Sequence, residues 1–535
     1  MLLKLGVRRG LAGLTVSLCA LAASALTSVA RASAAPATVA TVRVQVVQTD
    51  PNLARAALTL EPSRSFTTQR LPRGVHVIDV DDHIAYQTML GFGAAMTDSA
   101  TWLIHNALGP GGRRNVLDQL FSPTDGLGLN FVRVPIGASD FTAAGQPYTY
   151  DDVAPGQSDP SLTDFSIAHD LAYVIPTLQQ MLKANPSIDI MSTEWTAPAW
   201  MKANDSLDDV GRRGTLFAAD YPSLAVYLAK FIQAYAAAGI PVWGITPENE
   251  PGTPVGYPSM NLSPSGEAQF IAADLAPMFA RLGITTRIYG GDIGGRSPAW
   301  ATAVQSDPAA AAVASGEAWH CYGGQQGMSD FRNRYPAVQE LMTECSPGII
   351  PYTGAEAVID AVRNWASAAD LWNAALDPDG GPVQPPNQGC RACTGLLTIN
   401  ESTHTVQRTL NYYGLGQISE FVQRGAVRIA TPRWVHDFRD SHGYHVSEGL
   451  DNVAFLNPNG SRVLVAYNHS PAPITFGVSW NYRQFAYTLP AGATVTFRWT
   501  GAEPRAPRVP ADRCLNAGVR YVATPSGLSA APACG

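Results

Sequence analysis

The sequence predicts an α/β protein: a (β/α)8 TIM barrel with an associated C-terminal antiparallel β-sandwich. Three observations carry this reading. Eight short apolar runs recur through the middle of the chain, each ending in polar or glycine residues. Amphipathic stretches separate them, and strand–helix alternation repeated eight times reads as a parallel barrel. From Val453 the pattern changes to period-two alternation, punctuated by turn signals such as Asn457-Pro458-Asn459-Gly460 and Pro490-Ala491-Gly492. A doubly wound open sheet is the competing architecture for the middle region.

Taken in order, the first four strand candidates are "TMLGFG" (88–93), "LNFVRVP" (129–135), "DIMSTEW" (189–195) and "PVWGITPE" (241–248). The next four are "TTRIYGGD" (285–292), "EAWHCY" (317–322), "QELMTE" (339–344) and "ADLWN" (369–373). Between them, residues 165–185 and 221–239 carry apolar side chains at helical spacing, and the second stretch ends in glycine, a common helix stop. The span fits a barrel of roughly 250 residues or a little more. An early alternating segment, "ATVRVQVVQTD", is expected to join the C-terminal sheet. The resulting division is a signal peptide at 1–34, a segment at 35–80 lending strands to the sandwich, the barrel at 81–405, the sandwich at 406–500 and a tail at 501–535.

Composition narrows the function classes. The chain is 535 residues long, 46% hydrophobic and 15% charged, which is globular chemistry rather than disorder. Its net charge of -7, without a basic stripe, argues against nucleic acid as a partner. Lys4, Arg8 and Arg9, an apolar run to Ala25 and the small residues Ala32-Ser33-Ala34 form a secretory signal, with cleavage near Ala34. No later stretch is apolar enough for a transmembrane segment. Cys19 leaves with the signal, and Cys321, Cys345, Cys390, Cys393, Cys514 and Cys534 remain. An even number of cysteines in an exported chain favours disulfides. Cys390 and Cys393 are read as a local disulfide rather than half of a zinc site, because no second ligand pair stands at a suitable spacing. Cys514 and Cys534 are expected to close the tail, while Cys321 and Cys345 are either a disulfide or two buried thiols.

In a barrel of this kind the active site lies at the C-terminal ends of the strands. There the sequence places Arg133 with Asp140 shortly after, Trp195, Glu248-Asn249-Glu250, His320 with Tyr322, Glu344, and Trp372-Asn373. Paired carboxylates flanked by tryptophans suit glycoside cleavage: one protonates the leaving oxygen, the other attacks or stabilises the sugar cation. No metal-ligand spacing and no phosphate loop appears, so no cofactor and no metal are expected. Asp98 is left aside because a helix cap explains it.

"NEP" (249–251) after strand four and "TECS" around Glu344 after strand seven resemble the two signatures of retaining (β/α)8 glycosidases. With "GFGAAMTDSA", "FVRVPIGASDF", "EWTAPAWMK", "WHCYGG", "LWNAALDPDGGP" and "YYGLGQISEFVQRGAVRIA", they resemble glycoside hydrolase family 30, the glucosylceramidase family, over roughly residues 77–499. The resemblance implies Glu250 as general acid/base and Glu344 as nucleophile. It implies Asn249 on the sugar 2-hydroxyl and Arg133 paired with the nucleophile. Asp140, Trp195, His320, Tyr322 and Trp372 would line the glycone pocket. The family places a glutamine or a similar residue where Glu248 stands. The implied activity is retaining hydrolysis of a β-linked glycan or glycolipid, foremost a β-glucoside of the glucosylceramide type. The alternatives are a β-1,6-glucanase or β-xylosidase of the same family, or a non-catalytic carbohydrate-binding barrel.

Overall fold

The computed structural model describes residues 41–501 apart from 144, 296–297, 351, 384–389, 391 and 440–444, together with 520–524 and 527–531. The expected signal peptide, Cys514 and Cys534 lie outside the described residues. Eight parallel strands follow one another around a barrel: Gly91–Ala94, Phe131–Ile136, Asp189–Glu194, Val242–Thr246, Arg287–Gly294, Gly316–His320, Gln339–Glu344 and Ala366–Leu371. The eighth begins earlier than its sequence signal, in the small residues "ASAADL". It pairs with the first, with Ala368 opposite Gly91. Two backbone bonds close the seam between strands one and two, Met96 N to Arg133 O (2.8 Å) and Asn130 N to Phe92 O (3.0 Å). Only glycine permits that approach at position 93, where a Cβ would lie 1.4 Å from Phe131 O.

Alternate residues on a strand share a face, so the barrel interior is layered. Phe131, Met191, Tyr289, Ala318, Leu341 and Ala368 form an apolar plug. Two residues further along the same strands stand Arg133, Thr193, His320, Thr343 and Asp370, all buried. Polar chemistry is therefore stacked directly on a dry floor. Two register shifts alter the aim of the strand ends. One skips Asp292 between strands five and six, and one skips Thr343 between strands six and seven, setting His320 opposite Glu344. Such bulges redirect side chains beside functional sites.

The stretch 165–185 is only half helical: an α-helix runs from Val174 to Ala184, after a single 3-10 turn at Asp170–Ala172. The cause is Asp170, which is buried and accepts hydroxyl bonds from Tyr148 (3.1 Å), Tyr150 (2.6 Å) and Tyr235 (2.5 Å). The stretch 221–239 forms the expected helix, Tyr221–Ala237.

The sandwich is built from both ends of the chain. Arg43–Thr49 pairs antiparallel with Thr494–Trp499, which in turn pairs with Arg462–Asn468. Asp81–Thr88 lies within the stretch expected to open the barrel, yet it pairs in this sheet with Val427–Ala430. Its alternating burial belongs to a half-covered antiparallel strand and not to a barrel strand buried on both faces. A smaller sheet of His76–Asp79, Ile474–Trp480 and Arg483–Leu489 covers the inner face, and Phe66, Phe476, Phe485, Phe497 and Trp499 fill the space between. The other face meets the barrel, where buried Gln417, on the helix Leu410–Ser419, donates to Thr49 Oγ1 (2.8 Å) and accepts from Thr496 (2.6 Å). Among the described residues no helix is long and apolar enough to cross a membrane.

Candidate active site

Glu344 closes strand seven and Glu250 follows strand four, and they meet across the barrel mouth. Arg133, fully buried, donates from Nη1 to Glu344 Oε2 (2.5 Å) and from Nη2 to Asn249 Oδ1 (2.7 Å) and Asp292 Oδ2 (2.7 Å). Tyr322 OH donates to the other oxygen of Glu344 (2.9 Å). His320 Nδ1 lies 2.9 Å from Glu250 Oε1 and 3.7 Å from Glu344 Oε1. Ligand-type atoms of Glu250, His320 and Glu344 all lie within 4.8 Å of one another.

The electrostatics follow from burial and pairing. Burial works against charge on His320, but Glu344 and the hydrogen bonds to Asp292 and Glu250 outweigh it and raise the ring to about 10. Both ring nitrogens are therefore protonated donors at neutral pH. His320 and the two glutamates also have the spacing to surround an ion, but its ring nitrogens already face Glu250 and Asp292. The cluster Asp81, Asp82 and His83 has similar spacing, but Asp82 is already taken by Arg462 and Trp480. Burial likewise opposes charge on Asp292, yet Arg133 and His320 hold its carboxyl well below the usual range. Asp140 goes the other way: burial, then the nearby charges of Glu344 and Glu250, push it well above.

A pocket of about 280 Å³ opens over the pair, lined by Asp140, Trp195, Asn249, Glu250, Tyr322, Glu344 and Trp372. It sits at the small end of ligand sites, which run roughly 300–1,000 Å³, and suits one sugar ring. Trp195 and Trp372 stack at 5.3 Å and 20°, and the Arg133 guanidinium lies 4.6 Å from the Trp195 ring centre. Asn249 gives its oxygen to Arg133, so its amide nitrogen is the group left to donate.

The structure thus gathers every sequence-predicted site residue, with one difference. His320, expected to line the pocket, lies beneath it, as does Arg133, because each is enclosed by the carboxylates it serves. Glu248 is also buried and absent from the pocket wall. Its Oε1 accepts from Met260 N (3.0 Å), and burial, then Glu194, push its carboxyl well above the usual range. Asp98 is not the helix cap, since Thr97 accepts from Ala100 N. Asp98 is buried and accepts from Ala143 N (2.6 Å) and Tyr173 OH (2.7 Å), which pins the loop carrying Asp140.

Sequence reasoning missed Asp292, Tyr257, Cys390 and Cys393. Asp292 is the hub: besides Arg133 and His320 it accepts from Thr246 (2.8 Å) and Thr343 (2.5 Å), and its carbonyl accepts from Glu250 N (2.9 Å). Both Asp292 (φ 55°) and Glu250 (φ 47°) occupy the left-handed region, a strained conformation for side-chain-bearing residues that concentrates at functional sites. The available signal was positional, since Asp292 ends the strand-five run. Cys321 and Cys345 form a disulfide joining the residue after His320 to the residue after Glu344, and Cys390 pairs with Cys393.

With that geometry in hand, the glycosyl hydrolase family 30 TIM-barrel domain matches residues 89–422, and the family 30 β-sandwich domain matches residues 425–497. The chain belongs to glycoside hydrolase family 30. As a family 30 glycoside hydrolase it is 33% identical to an endo-1,6-β-D-glucanase of Aspergillus fumigatus over 444 residues, covering 78% of this chain and 83% of that one. It is 29% identical over 446 residues to the lysosomal acid glucosylceramidase of Mus musculus, covering 77% and 81%. Among solved structures, the family 30 fold here matches the endo-β1,6-glucanase BT3312 with a TM-score of 0.73 at 29% identity, covering 86% of this chain and all of that one.

Proposed function

We propose that this family 30 hydrolase is a retaining glycosidase that cleaves β-1,6-linked glucan, with Glu344 as nucleophile and Glu250 as acid/base. The observation that carries the mechanism is that one carboxylate oxygen of Glu250 and one of Glu344 lie within 4.8 Å of each other, over a pocket for one sugar. Retaining glycosidases hold their carboxyl groups about 5–5.5 Å apart, whereas inverting ones leave about 6.5–9.5 Å for a water. In this reading Arg133 and Tyr322 keep Glu344 aimed and compensate its charge, and it attacks the anomeric carbon. His320 occupies Oε1 of Glu250, which leaves Oε2 to carry the proton for the leaving oxygen. Glu250 then takes a proton from the water that releases the sugar. Trp195 and Trp372 pack on the sugar C–H face, and the Asn249 amide donates to its 2-hydroxyl.

The substrate moves from the glucosylceramide type favoured by sequence to the β-1,6-glucan alternative. The 33% identical relative and the solved match are endo-β-1,6-glucanases, and the glucosylceramidase is more distant. Two disulfides suit an oxidising, extracytoplasmic compartment. The deciding experiment offers β-1,6-glucan and glucosylceramide to the enzyme and to Glu344→Gln, following the product anomer by NMR. Hydrolysis of the glucan with a β-product, lost in the variant, is expected. An α-product would overturn the mechanism, and turnover of glucosylceramide alone would overturn the substrate.

A further inference from the structure

Two of the apolar groups around the sugar pocket are the sulfur-bearing residues Cys390 and Cys393, bonded to each other. Cys393 is buried in one cluster with Trp195, Trp372 and Phe141, while Cys390 is only partly buried. The turn is also fastened to the loop that leaves the strand of Glu344. Thr394 Oγ1 donates to Pro347 O (2.7 Å) and accepts from Asn411 Nδ2 (2.8 Å). Ala392 O lies so close to Gly348 (φ 115°) that a Cβ there would be 2.4 Å away. The contact therefore requires glycine both for its space and for its left-handed backbone.

We propose that the Cys390–Cys393 disulfide turn is the specificity-determining wall of the sugar pocket. It packs beside the Trp195–Trp372 stack and fixes the room available to the bound glycosyl unit. The backbone bond from Cys393 N to Cys390 O (3.2 Å) and the bond between the sulfurs hold the two residues together as one apolar surface. A thiol pair would leave each side chain free to rotate into or out of the pocket. The disulfide touches neither Glu250 nor Glu344 through any hydrogen bond, so it acts on binding and not on the chemical step. This inference rests on the β-1,6-glucan reading for the identity of the sugar.

The test exploits the difference in burial between the two disulfides, since Cys321 and Cys345 are both fully enclosed. Mild phosphine reduction of the intact enzyme should open Cys390–Cys393 first, with quenched samples alkylated and mapped by mass spectrometry. KM for β-1,6-gluco-oligosaccharides should then rise about tenfold while kcat stays within about twofold, the signature of lost uniform binding. The Cys390→Ser/Cys393→Ser variant should reproduce that split without reductant. Unchanged KM in the opened enzyme, or a variant that loses only thermal stability, would overturn the wall. Absence of turnover in the oxidised wild type would instead overturn the substrate reading on which it rests.

Discussion

At Asp292 a single carboxylate meets a guanidinium, an imidazolium and two hydroxyls, and its carbonyl holds the backbone of Glu250. Asp292→Asn keeps the shape and removes the charge. We expect kcat/KM to fall about 100-fold, the scale of losing one preorganised electrostatic partner. The sign of the pH effect follows from His320. Carboxylate neighbours hold its ring up to about 10, so removing one lowers it, and the alkaline limb of kcat/KM should move to lower pH. In the wild type the charged ring contributes stability in full below about pH 6.5, its unfolded value, and loses it as pH rises toward about 10. An alkaline limb that stays in place would detach His320 from the chemistry. Glu250, Glu344, Arg133 and Asn249 were legible in sequence because each ends or follows a strand run. Asp292 was not, although it also ends one: its glycine-rich surroundings fit no phosphate loop and pointed to no other chemistry, and nothing in sequence marks a non-glycine residue as left-handed.

The strands that carry His320 and Glu344 are joined by more than their ladder, because Cys321–Cys345 fastens one to the other just beyond those residues. The bridged residues are 24 positions apart, and the entropy of closing such a loop is worth about 3.5 kcal/mol. Cys321→Ala/Cys345→Ala should lower the free energy of urea unfolding by about that amount, with kcat reduced as the two ends loosen. Equal stability would mean that the ladder alone holds the pair. At this scale the sequence was largely readable, since eight apolar runs became eight barrel strands. The differences came from tertiary partners that no periodicity carries. Asp170 draws three tyrosines and truncates a helix at its start, and Asp81–Thr88 is claimed by Val427–Ala430. The bulges at Asp292 and Thr343 were equally invisible, because a skipped residue changes no composition.

For the molecule as a whole, barrel and sandwich are not separable pieces. Residues 43–88 supply strands to both sheets of the sandwich, and the larger sheet buries its far face against the barrel through Gln417. A chain starting at residue 89 would leave Thr494–Trp499 with one side unpaired, an open edge of the kind that recruits other chains. We expect that truncation to elute as aggregate by size-exclusion chromatography, where a monomer would show the barrel to be self-sufficient. The same architecture imposes an order on biosynthesis. Gln48 and its partner Tyr487, bonded at 2.6 Å, lie 439 residues apart. At a synthesis rate of about 5–20 residues per second, Gln48 waits roughly 20–90 seconds for that partner, while its strand pairs early with Thr59–Ser65. The last barrel strand, Ala366–Leu371, precedes that partner by more than a hundred residues, so the domain whose strands begin first in the chain is the one completed last.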